Sequence, residues 1–104
     1  MDFQSVGEII ATRRIHLVDE ANHKRTVSVF IGKPHQPDDS SDYHCRFQII
    51  GIGTQETLSA RGRDSIQALQ SALVLIRDSL NQLNCELGGR LNWDGGQPGE
   101  LGFP

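Results

Sequence analysis

This chain predicts an α+β fold: an antiparallel four-stranded sheet in meander order with one long helix on one face, ββββα, followed by a short C-terminal strand and tail. Two observations carry most of that prediction. In residues 62–83, Ile66, Leu69, Leu73, Ile76, Leu80 and Leu83 recur at alternating steps of three and four, which places them on one helical face. Upstream of them, apolar residues alternate with period two, the signature of strands with one buried face. One amphipathic helix is thus offered to one antiparallel sheet, and each satisfies the other's apolar side.

The first strand is expected over 8–18, with Ile9, Ala11, Ile15 and Leu17 on one face, interrupted by Arg13. Ile10, Thr12, Arg14, His16 and Val18 take the other face. Residues 19–23 are a polar connection with turn-prone Asn22. The second strand, 24–32, turns Val27, Val29 and Ile31 inward, and the short connection makes the pair a hairpin. Lys33 to Asp42 is rich in Pro, Asp and Ser and reads as a loop, long enough to be a place for function. The third strand, 43–52, alternates Tyr43, Cys45, Phe47 and Ile49 with His44, Arg46, Gln48 and Ile50. A weaker fourth strand spans Glu56 to Ala60, after a turn or bulge at Gly51 and Gly53.

Asp64 is a favoured N-cap for the helix, and Gln67 three residues on completes capping-box spacing. Ala68, Ala72 and Leu75 form a second stripe, so the apolar face is wide enough to lie on a sheet. Gly88 and Gly89 are expected to stop the helix. Arg90 to Trp93 suit a short last strand, and residues 94–104 are a Gly/Pro tail.

With 104 residues there is room for a single domain, 1–104, its core expected at about 6–87 and the tail at 88–104 docked on the sheet. The formal net charge of −3 disfavours generic nucleic-acid binding, which needs a basic excess. The longest apolar run, Ala72 to Ile76, is far short of a membrane span, so no membrane partner is expected. The N-terminus lacks the layout of a signal peptide, and two cysteines make no disulfide framework. The expectation is a cytoplasmic protein with both thiols free.

No cluster of catalytic, cofactor-binding or metal-ligating residues emerges. His44 and Cys45 are neighbours on a strand and point to opposite faces, so they do not form a thiol–base pair. His16, His23, His35 and His44 lack metal-site spacing. Asp38, Ser40 and Asp42 resemble the start of a calcium loop, but Ile49 stands where the bidentate Glu is needed. Gly51-Ile52-Gly53 lacks the third glycine and the helix of a dinucleotide fingerprint. No cofactor, metal or catalytic residue is therefore expected.

The surface with pattern is the outer sheet face. Arg14, His16, Phe30, His44, Arg46 and Ile50 share its parity and form the candidate interaction surface. Basic residues across an open sheet suit an acidic protein, or RNA, although Phe30 is the sole aromatic of that parity. Ile10, Val18, Phe30 and Ile50 on a nominally wet face imply a cover: the tail through Leu91, Trp93, Leu101 and Phe103, a second copy, or a partner.

The segments ATRRIHL, VSVFIGKP, DYHCRFQIIGIG, DSIQALQSALVLI and LNW…LGFP together resemble a family of small bacterial proteins defined as a domain of unknown function, the DUF6968 type. The resemblance implies a bacterial source and brings no activity or site residues. Residues 43–80 have a weaker likeness to HicB-type antitoxins, through GRDSIQAL at the turn into the helix. The leading expectation is a non-enzymatic protein-interaction module, of which an immunity or antitoxin role is one form. Its partner is an unknown protein or a second copy. The rivals are a ligand-binding protein or enzyme with a pocket between sheet and tail, using Tyr43, His44, Arg46 and Asp94, and an RNA binder using the outer face.

Overall fold

The period-two segments form strands β1 (Ile9–Val18), β2 (Lys24–Gly32), β3 (Tyr43–Ile50) and β4 (Thr57–Gly62), and the amphipathic segment forms helix α1 (Ser65–Glu86). A two-residue strand, β5 (Leu91–Asn92), follows. The computed structural model describes residues 6–97 and 100–104, so residues 1–5 and two residues of the Gly/Pro tail lie outside the described residues. The sheet is antiparallel throughout, in the order β4-β3-β2-β1-β5. The expected α+β architecture is the one observed, with β5 added beside β1.

Local chemistry explains the connections. Asn22 closes the β1–β2 turn in a left-handed conformation, φ 64°, which Asn tolerates better than most residues. A bulge between Ile9 and Ala11 breaks the alternation of β1, since Ile9 pairs with Gly32 and Ala11 with Ile31. Ile9 and Ile10 are consequently both exposed, rather than one in and one out. The 33–42 loop is narrower than its sequence implies, because His35 and His44 exchange backbone hydrogen bonds of 2.9 and 2.7 Å.

The Asp64 carboxylate accepts from the Gln67 backbone N–H at 2.7 Å, as an N-cap should. Gln67 Oε1 reaches back to the Arg63 N–H, one residue before the position a capping box uses. At the other end Gly88 N–H bonds to Cys85 O and Gly89 N–H to Asn84 O, the two bonds of a Schellman stop.

The helix face in contact with the sheet differs from the stripe that periodicity emphasises. Ala68, Ala72, Ile76 and Leu80 are fully buried, Leu69, Leu73 and Leu83 flank them, and Ile66 is 67% exposed. The reason is close approach. The two alanines let α1 settle onto the sheet, and β4 runs on to Gly62 beneath the first helical turn. Large side chains then fit only at the margins of the contact.

The helix packs on β3 and β4 and leaves the inner face of β1 to the tail. Leu91 and Leu101 are buried in the same core as Ile15, Val27, Val29, Cys45 and Phe47. The core therefore extends past residue 87. Trp93 and Phe103 pack against it, on the helix side of the sheet. Leu91, Trp93, Leu101 and Phe103 are therefore not the cover of the outer face, the first of the three covers named above, and their placement accounts for Arg13. The guanidinium carbon lies 4.1 Å from the Trp93 ring centroid and 4.7 Å from that of Phe103, while one N–H donates to Leu101 O at 3.2 Å. An arginine that seemed to interrupt an apolar face is what the aromatic tail stacks on.

Candidate functional site

Cross-strand register separates the six outer-face residues into three groups. At one end Arg46 stands opposite Ser59, and His44 stands between Arg61 and His35. In the centre Phe30 pairs with Thr12 and Gln48, while Arg14 and Ile50 flank Ser28 in the next row. At the other end His16 pairs with Thr26, and its Nε2 lies 3.2 Å from Asp94 Oδ2. Arg14 is exposed and the other five are half-buried. The basic groups thus form a dispersed set rather than one stripe, and an acidic residue of the tail caps one of them.

Two residues outside the expected set belong to this surface. His35 sits beside His44 with ring centroids 6.0 Å apart. His35 Nδ1 and His44 Nε2 are shut off from solvent and have no hydrogen-bond partner among the described residues. Their pairing was hidden because His35 falls in a segment that composition marks as loop. The second is Val6, only 4% exposed. Its backbone crosses Gly32 where a side chain at 32 would overlap it, and a Cβ on Gly7 would stand 3.2 Å from the Arg46 guanidinium. Val6 and Gly7, just ahead of β1, thus cover this corner of the outer face. A glycine ending a strand that carries Val27, Val29 and Ile31 was the available signal.

Cys45 is buried and donates weakly to Gly32 O at 3.5 Å, and burial raises its thiol pKa. A thiol held neutral on the inner face is core, not a nucleophile. Cys85 is exposed and also free. Among the described residues no group of three or more His, Cys, Asp or Glu could hold a metal ion. Nor is any helix among them long and apolar enough to cross a membrane.

Surface hollows lie elsewhere. One sits between β3, the Ile52–Glu56 turn and the end of α1, and another between α1 and Glu100–Phe103. A third lies between β4 and Gln67–Leu75 of α1, and a fourth between β1, β2, Leu73 and Gly102–Pro104. None of these four is lined by Tyr43, His44, Arg46 or Asp94. Those four polar groups do not converge: Tyr43 belongs to the inner parity of β3, His44 and Arg46 to the outer, and Asp94 lies beside His16 at the far end.

A family model described as a domain of unknown function (DUF6968) matches residues 11–104. No curated protein and no solved structure matches the chain, so the likeness to HicB-type antitoxins gains no support from these comparisons.

Proposed function

The chain belongs to the DUF6968 family, and since that membership carries no activity, we propose from the surface that it is a non-enzymatic module binding a protein partner on its outer sheet face. One observation carries the reading. The helix and the tail residues Leu91, Trp93, Leu101 and Phe103 pack on the inner face, while the outer face keeps Phe30 and Ile50 half-exposed in adjacent rows. Apolar surface left open beside arginines suits a partner that brings apolar contacts rimmed by acidic groups. Neutralising a toxin or another effector protein is one concrete form of such binding, in a bacterial cytoplasm.

A photo-crosslinking residue at position 30 tests it in the source cell. The expected result is a discrete adduct at 30 that is absent with the same residue at Asp78, an exposed position of α1 outside the four hollows. Mass spectrometry of the adduct separates a foreign partner from a second copy. Equal adducts at both positions, or none at position 30, defeat the reading.

A further inference from the structure

The hollow bounded by Ala11, Thr12 and Arg13 of β1, Val29 and Ile31 of β2, Leu73 of α1 and Gly102–Pro104 of the tail measures about 270 Å³. It is independent of the outer face, since it lies on the helix side of the sheet. Its floor is the buried pair Val29 and Ile31, and its walls are Leu73 and Phe103. Arg13 is the one lining residue with a charged side chain.

The state of Arg13 turns a gap into a site. Two aromatic rings lie against its guanidinium, which fixes the group and strips water from its faces. A guanidinium carries five N–H donors in its plane, and among the described residues one nitrogen is engaged, to Leu101 O. A fixed cation with donors to spare, at the edge of an apolar cavity, is the arrangement that holds a carboxylate and buries its apolar body.

We propose that this hollow binds a small monocarboxylate with a short apolar body, its carboxylate on the Arg13 guanidinium and its hydrocarbon on Val29, Ile31, Leu73 and Phe103. The volume falls just under that of drug-sized sites, roughly 300–1,000 Å³, which keeps the ligand small.

Trp93, the chain's one tryptophan, stacks on Arg13 and reports the site by its fluorescence. The test titrates hexanoate into the full chain and follows Trp93 emission together with the amide signals of Ala11, Ile31 and Gly102. Saturable changes in both are expected. Hexan-1-ol, which lacks the charge, should bind about tenfold more weakly or worse, and so should hexanoate to the Arg13→Lys variant. Ala11→Phe fills the hollow from an exposed position and should weaken hexanoate binding by a similar factor while the tail stays docked. Should Arg13→Lys fail to fold, Ala11→Phe and the alcohol still decide. The proposal is overturned by an absence of saturable change with hexanoate, by an equal response to hexan-1-ol, or by unchanged binding to Ala11→Phe.

Discussion

Arg13 and Trp93, eighty positions apart in sequence, are stacked with the guanidinium carbon 4.1 Å from the indole centroid. The contact joins the first strand to the tail. Truncating Trp93→Ala removes it along with a partly buried aromatic body. The expected loss is about 2–3 kcal/mol, below the 3–5 of a fully buried aromatic, measured as a lowered urea midpoint. A variant as stable as the parent would mean that the tail contributes nothing to the fold.

Gly62 and Gly88 predict opposite mechanisms for the same substitution. A Cβ on Gly62 would stand 2.6 Å from the Gln67 carbonyl carbon, which is helix backbone and does not yield. Gly62→Ala should lift α1 from β4 and cost about 2–3 kcal/mol. Gly88 has open space around it but a φ of +69°, so Gly88→Ala should cost only the left-handed strain, about 1–2 kcal/mol. Chemical shifts along α1 separate the two: they move throughout the first turn in the former variant and stay put in the latter.

Asp64→Ala should lose about 1 kcal/mol, because the Gln67 N–H then has no acceptor at the helix start. Asp64→Asn keeps an acceptor oxygen and should restore most of it. Thermal unfolding of the three proteins side by side reads the difference, and equal midpoints would remove the cap from the account of this helix.

The two thiols should react at very different rates. Cys85 is exposed and Cys45 is buried, so a thiol reagent should modify Cys85 first and Cys45 only after unfolding. The same burial has a pH signature. Desolvation raises the Cys45 pKa in the folded state, so folded protein holds that proton more tightly than unfolded protein does. The contribution is fully present below the ordinary thiol pKa and is lost as pH rises through the raised folded value. Stability should therefore fall in the alkaline range, and Cys45→Ala, though less stable overall, should show a shallower fall.

Much of the fold was legible because it rests on local periodicity. The strands, the Asp64 cap and the Gly88-Gly89 stop all follow from residues near one another in sequence. What sequence spacing misjudged depends on distance of approach. Ile66 has the right period for burial but lies outside the contact, since Ala68 and Ala72 draw the helix close. Arg13 looked like a fault in an apolar face until the tail stood over it, and periodicity carries no information about a pairing across 88 residues. The outer-face set shared parity, as read, yet parity leaves position along the strands open. Register puts His16 at one end and His44 at the other.

Order of assembly follows from where the tail ends up. Strands β1 to β4 are neighbours in sequence as well as in space, so each pairing closes a short loop. The contact of Arg13 with Leu101 closes a very long one, and the docked segment has few residues to hold it. Amide exchange should accordingly run fastest at Leu101–Phe103 and slowest at Val29 and Phe47, which makes the tail the first part to open and the last to close. β1 then has two histories: one edge is zipped to β2 early, and its inner face waits for the far end of the chain.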